Sequence, residues 1–248
     1  MALLKSLEAF GKYILFLSRA FSIPDKWHES AKRYVSEIYK LGIDSIALTI
    51  IISVFIGAVC CIQMQMQTSS PLLPRYTVGF ATREIILLEF TSSILCLILS
   101  GKVGSNIASE IGTMRITEQI DALEIMGINS TSLLVAPKIV ALVTYIPVLV
   151  IISMASALFG GYIVALCTDI IPVSTYLYGL QTEFVEWHVW YALIKSVIFA
   201  FIIGSISSYY GYNVKGGALD VGKASTDAVV TSSVMILLFD VILTKILL

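Results

Sequence analysis

Five times along this chain, apolar residues run for membrane-spanning lengths, and the polar stretches between the runs are short. The runs fall at roughly 44–64 (DSIALTIIISVFIGAVCCIQM), 85–108 (IILLEFTSSILCLILSGKVGSNIA), within 133–167, 191–212 and 225–247. About 20 apolar residues in helical form cross a hydrocarbon core of about 30 Å, so five transmembrane helices are predicted. The third run has 35 residues, about 52 Å of helix at 1.5 Å per residue. It overshoots the bilayer, and Pro137 and Pro147 fall in its first half. It reads as one long, kinked helix whose first turns lie at the interface; a re-entrant hairpin is the alternative. Ahead of the first run, Leu3, Leu4, Leu7, Phe10, Ile14 and Leu17 recur at helical spacing, with Lys5, Lys12 and Arg19 elsewhere around the wheel. Residues 1–20 therefore read as an interfacial helix lying in the membrane plane.

Composition agrees. The chain is 57% hydrophobic and 13% charged, with a mean hydropathy of +0.90, against about 25% charge in soluble domains. A closed β-barrel would show short alternating segments instead. The net charge of −1 gives no footprint for nucleic acid. Lys5, Lys12 and Arg19 interrupt any signal-peptide core, so no cleaved leader is expected. Cys60, Cys61, Cys96 and Cys167 sit in or beside apolar runs without metal spacing, as small apolar fillers. No metal or cofactor is expected, and the whole of 1–248 reads as a single domain.

Orientation follows from Lys and Arg in short loops. Residues 1–43 carry seven (Lys5, Lys12, Arg19, Lys26, Lys32, Arg33 and Lys40), and the 168–190 loop carries none, only Asp169, Glu183 and Glu186. The N-terminus, the 109–132 segment and the 213–224 loop are predicted to be cytoplasmic, and the C-terminus outside.

Between the second and third runs lies EIGTMRITEQIDALEIMG, residues 110–127, with five charges in 18 residues. Thr117 is the predicted N-cap of a short helix, followed by acidic Glu118 at the positive helix end, and Gly127 its C′ residue. Ile120, Leu123 and Met126 recur every three residues, as do Glu118, Asp121 and Glu124. The first set is expected to face the membrane domain and the second to face water. An ordinary solvated loop helix and a docking surface for a cytoplasmic partner both fit that pattern.

The stretch SGKVGSNIASEIGTMRITEQIDALEIMGINSTSLLVAPKIVA closely resembles the signature of the MlaE family, the permease subunits of lipid-transporting ABC systems. GYNVKGGALDVGKASTDAVVTSSVMILLFDVILTKIL resembles the same family's last loop and helix. The likeness covers most of the chain and is weakest before residue 40 and in the 65–84 loop. It implies an all-α polytopic membrane protein with an N-terminal interfacial helix, five transmembrane helices and a cytoplasmic coupling helix, working as a homodimer. The implied partners are a cytoplasmic ABC ATPase, a periplasmic MCE-type lipid-binding subunit and phospholipid; the implied location is the bacterial inner membrane. Within 110–127, Glu110, Met114, Arg115, Thr117, Glu118, Gln119, Asp121, Ala122 and Met126 would form the ATPase-coupling segment. Lys102 and Lys138 stand where the family usually has Arg, and LEFTS, residues 88–92, replaces a common R-E-L-G-P.

Further candidates follow from single residues. An acidic side chain at membrane depth is a functional candidate. In the resemblance Glu89 lines the lipid cavity; as an ordinary interfacial residue it would pair with Arg83 or snorkel outward. Gln63, Met64 and Gln67, at the end of the first span, suit an adaptable headgroup vestibule or a polar interface cap. Asp240, with Thr244 and Lys245 near it, reads as structural pairing. Gly101, Gly104 and Ser105 belong to a small-residue strip for close helix packing. GALDVGKA, 217–224, misses the phosphate-loop pattern at Ala224 and follows no strand, so it reads as a Gly-rich turn, and any ATP hydrolysis is expected on another chain. His28 and His188 share no motif; His188 sits in an aromatic belt. The expected function is a permease moving phospholipid between the inner membrane and a periplasmic carrier to maintain outer-membrane asymmetry. A membrane-embedded lipid-modifying enzyme or a non-transporting scaffold is the alternative.

Overall fold

A computed structural model describes residues 2–22, 27–68, 74–168 and 171–248. Lys26 and Asp169, counted in the charge reading, lie outside these residues, as do the side chains of Leu3, Leu4, Lys5, Leu7 and His28.

The described residues form helices α1 (Ala2–Ala20), α2 (Trp27–Glu37), α3 (Asp44–Gln67), α4 (Thr77–Ile85), α5 (Leu95–Leu99), α6 (Ser105–Ile116), α7 (Gln119–Ile125), α8 (Ser130–Cys167), α9 (Val173–Gln181), α10 (Glu186–Tyr212) and α11 (Ala218–Leu247). Wider π-helical turns at Ile38–Ile43, Ile86–Ile94 and Ser100–Gly104 join α2 to α3 and α4 through α5 to α6. The continuous helices long and apolar enough to cross a membrane are Glu29–Gln67, Thr77–Ile116, Ser130–Cys167, Glu186–Tyr212 and Ala218–Leu247. The chain is thus an all-α, multi-pass membrane protein.

The third apolar run is a single helix, not a hairpin: α8 carries Pro137 and Pro147 inside one 38-residue rod. Asn129 caps it by accepting from the Ser132 N–H at 3.2 Å. The last span begins earlier than the hydropathy placed it. Gly216 (φ +118) makes the turn, and GALDVGKA is already the first two turns of α11.

The first and third spans cross at glycines. A Cβ on Gly57 would collide with the backbone carbonyl of Ala157, and one on Gly160 with that of Val54. Without a hydrophobic drive between helices in lipid, such backbone approach supplies the packing; the Ser53 and Ser153 hydroxyls bond across the same seam at 2.7 Å. Gly57→Leu is expected to force α3 and α8 apart and to leave a poorly folded permease, seen as loss of monodisperse protein in detergent. Normal yield and melting of that variant would mean that the crossing tolerates a side chain. The predicted strip divides: Gly104 packs against Ser207 and Ile203 of α10, a Cβ on Gly101 would meet nothing within 4 Å among the described residues, and the Ser105 carbonyl accepts from Ser225 of α11.

The α1 wheel is turned from its predicted setting. Phe16 and Ala20 are buried, Leu17 packs on the core, and Phe10 and Ile14 are exposed at 61% and 49%. Tyr13 and Phe16 set their rings edge-on against Tyr209. The helix therefore lies across the end of α10 and start of α8, beside α7, with an apolar outer face suited to lipid.

Candidate functional site

Two charged clusters and one short helix organise the bundle. The first cluster lies between the second, fourth and fifth spans. Lys195 of α10 is fully buried; its ammonium meets Asp240 of α11 at 2.5 Å and Glu89 at 3.2 Å. Ser93 donates to Asp240 at 2.6 Å, and Tyr191 lies within 3.0 Å of the Lys195 ammonium and 2.8 Å of the Thr244 hydroxyl. Lys195 is nine residues beyond Glu186, about 14 Å along the helix, so the cluster sits at membrane depth. Burial at such depth requires pairing. Glu89 occupies the π-helical stretch Ile86–Ile94, a geometry often found at functional sites.

For Glu89 the structure replaces the expected Arg83 pair. Its partner is Lys195, not Arg83, which turns away to clasp the carbonyls of Leu180, Thr182 and Glu183 and the Glu84 carboxylate. Asp240 likewise pairs with Lys195 rather than Lys245. The two carboxylates are unequal: Asp240 is 17% exposed and Glu89 is 42% exposed. Glu89 is the member with a free face. Lys195 was missed in the sequence, although a lone lysine inside an apolar run is itself a functional signal.

Gln63 and Gln67 are exposed at the end of α3. Met64 instead packs on the small cluster of Cys61, Val78, Val164 and Tyr176 beneath α9.

The second cluster lies at the other end of the bundle. Lys138 near the start of α8 is buried, 2.5 Å from Glu37 of α2 and 3.0 Å from Glu110 of α6; Lys40 reaches Glu110 at 3.1 Å. Glu110, expected on the partner-facing segment, thus points inward and ties three helices together. Lys138→Met would strand the Glu37 carboxylate and leave Glu110 only Lys40, a loss of about 3–5 kcal/mol for a broken buried pair. The expected result is a clearly lower melting temperature in detergent, while Glu110→Gln, which leaves the Glu37 pair, should cost less. Equal melting of wild type and Lys138→Met would overturn this account.

The short helix α7 follows α6 through a sharp corner. Thr117 is not its N-cap: the Thr117 hydroxyl donates back to the Thr113 carbonyl at 2.8 Å and closes α6. Glu118, in the left-handed region (φ 60), makes the corner and precedes Gln119. The predicted C-terminus holds. Gly127 (φ +74) bonds back to Glu124, and Ile128 to Leu123, a pattern that satisfies the last carbonyls.

The faces of α7 differ from the three-residue reading. Ile120 is buried and Leu123 packs on the core, but Met126 is 64% and Ile125 86% exposed. Glu124, although exposed, leans on the bundle, accepting from Tyr212 at 2.7 Å and Ser130 at 3.0 Å. The reason is periodicity. At about 100° per residue, steps of three precess, so Met126 lies about 120° from Ile120, whereas Glu124, four residues on, lies about 40° away. Arg115 pairs with Asp121 at 2.6 Å, and Gln119 donates to Thr117 at 3.0 Å. Met114 is half-buried on the core. Glu118, Gln119, Ala122, Ile125 and Met126 are left outermost.

A bundle of five apolar spans with buried ion pairs at membrane depth and a short exposed helix between the second and third spans defines a polytopic α-helical membrane protein. The family described as Permease MlaE matches residues 34–246, and the chain belongs to that family. It is 32% identical over 242 residues to a probable ABC transporter permease protein of Rickettsia bellii, covering 96% of this chain and 92% of the relative. It is 34% identical over 213 residues to a probable ABC transporter permease protein of Pyropia yezoensis, covering 84% and 79%. It is 27% identical over 211 residues to the chloroplastic protein trigalactosyldiacylglycerol 1 of Arabidopsis thaliana, covering 85% and 60%.

Proposed function

We propose that this chain is the permease subunit of an ABC transporter that moves phospholipid between the bacterial inner membrane and a periplasmic MCE-type lipid carrier, serving outer-membrane asymmetry. It is a multi-pass membrane component without its own ATP chemistry; hydrolysis belongs to a cytoplasmic ATPase gripping the outer face of α7. The observation that carries the lipid reading is the Lys195 cluster. Two carboxylates hold one buried ammonium, and one of them, Glu89, keeps an open face. Such a face can meet a polar headgroup at membrane depth. The name of the Arabidopsis relative, which contains that of a galactolipid, agrees with a lipid cargo.

A homodimer completes the cavity. Val234, Leu237, Leu238 and Val241 of α11 are 49–72% exposed, an apolar face next to Asp240 that a second copy would cover. Transport is tested by reconstituting the permease with its co-purifying ATPase and carrier in vesicles holding fluorescent phospholipid. ATP-dependent transfer of the lipid to the carrier is expected. A complex that hydrolyses ATP but moves no phospholipid would sink the reading.

A further inference from the structure

A cavity of about 530 Å³ opens where α1 crosses the ends of α8 and α10, beside α7. It lies at the opposite end of the bundle from Glu89, and nothing in the transport reading uses it. Its size falls within the range of small-molecule sites, about 300–1,000 Å³. Lys12 and Arg19 of α1 line one side; Glu124, Tyr209 and Tyr212 line the side of α7 and α10.

The charges on these walls are incompletely matched. Lys12 is bonded to Glu8 at 2.7 Å on the exposed surface, and Arg19 makes no ion pair among the described residues. Glu124 uses one carboxylate oxygen for both Tyr212 and Ser130, and its other oxygen accepts no hydrogen bond among the described residues. The Tyr212 hydroxyl holds this carboxyl below the usual carboxylate range, so it is ionised at neutral pH. Phe16 braces the tyrosine rings, 5.5 Å from Tyr209 and 5.3 Å from Tyr212. The cavity therefore offers cations on one side and, on the other, an anion beside tyrosine rings, Tyr209 and Tyr212, the second of which already carries the Arg115 guanidinium 5.8 Å from its centre; such rings attract cations.

We propose that this cavity binds the zwitterionic headgroup of a phosphatidylethanolamine-type lipid from the leaflet at the α7 end, with phosphate toward Lys12 and Arg19 and ammonium toward Glu124 and Tyr212. A purely anionic headgroup would meet Glu124, and a purely cationic ligand would meet Arg19; a zwitterion satisfies both. The supply is the membrane surface, because α1 exposes Phe10 and Ile14 to lipid and carries the cavity's cations at that level. The site is one of occupancy, so it stands whether or not the chain transports lipid.

The test uses the full chain in nanodiscs of phosphatidylethanolamine and phosphatidylglycerol in equal parts, with a phosphatidylethanolamine bearing a photoactivatable headgroup. Crosslinks are expected within residues 12–19, and native mass spectrometry should find phosphatidylethanolamine retained over phosphatidylglycerol. Arg19→Ala removes an exposed side chain that makes no ion pair among the described residues and acts on Glu124 only through its charge, so the fold should persist. It is expected to lower crosslinking about tenfold, the effect of losing one charge-assisted hydrogen bond. Glu124→Gln keeps an acceptor for Tyr212 and Ser130 and is expected to erase the preference between the two lipids. Unchanged crosslinking in Arg19→Ala, crosslinks confined to the region of Glu89, or equal retention of both lipids by the wild type would overturn the proposal. Displacement of the lipid by soluble phosphoethanolamine alone would overturn the membrane as its source.

Discussion

Lys195→Met is expected to be among the most damaging single substitutions in this permease. It removes the only cation that faces Asp240 and Glu89 among the described residues, and breaking a buried pair costs about 3–5 kcal/mol. The chain should lose thermal stability in detergent and fail to assemble. The two carboxylates should then separate by role. Asp240→Asn strikes the shorter, more buried contact and should act mainly on stability. Glu89→Gln strikes the exposed member, so the protein should fold and assemble but transport poorly. Glu89→Lys, which sets a second ammonium against Lys195, should impair transport further. Melting curves and lipid-transfer rates on the same preparations separate these outcomes. Wild-type transport by Glu89→Gln would reduce the cluster to a structural pin, and undiminished stability of Lys195→Met would refute the pairing itself.

The second large effect is expected at α7. Charge reversal at Glu118 and Asp121 is a poor probe, because Asp121 already holds Arg115 at 2.6 Å and its loss would disturb the corner internally. Ile125 and Met126 are the sharper targets: 86% and 64% exposed, they touch nothing that the isolated chain needs. Buried apolar anchors at interfaces are worth about 2 kcal/mol or more each, so Ile125→Asp with Met126→Asp should weaken ATPase binding by at least about a hundredfold. The double variant should still insert and melt normally, because Ile120 and the Schellman-type end at Gly127 are untouched. Pull-down of the ATPase at normal stoichiometry would show that α7 is not where the partner grips.

Much of this molecule is written locally. Apolar runs of membrane length mark five spans because the bilayer demands about 20 apolar residues wherever a helix crosses it. Gly127 marks the end of α7 because a left-handed backbone position favours glycine. The density of charge at 110–127 marks a segment that leaves the membrane. The boundary errors were local as well. The turn at Gly216 starts the last span early, and the Pro residues of α8 left its continuity open.

Only the tertiary structure decided which charges meet. Lys195 finds Glu89 across 106 residues, and Lys138 finds Glu37 across 101. No periodicity within one helix states which face of another it will oppose. Glu89 and Glu110 look alike in sequence, each an acid near an apolar run, yet one keeps an open face at membrane depth and the other is tied between two lysines. The facing of α7 was decided the same way. A seven-residue helix has too few turns for spacing to fix its orientation. Its docking set Glu124 against Tyr212 and Ser130 and left Ile125 and Met126 outside.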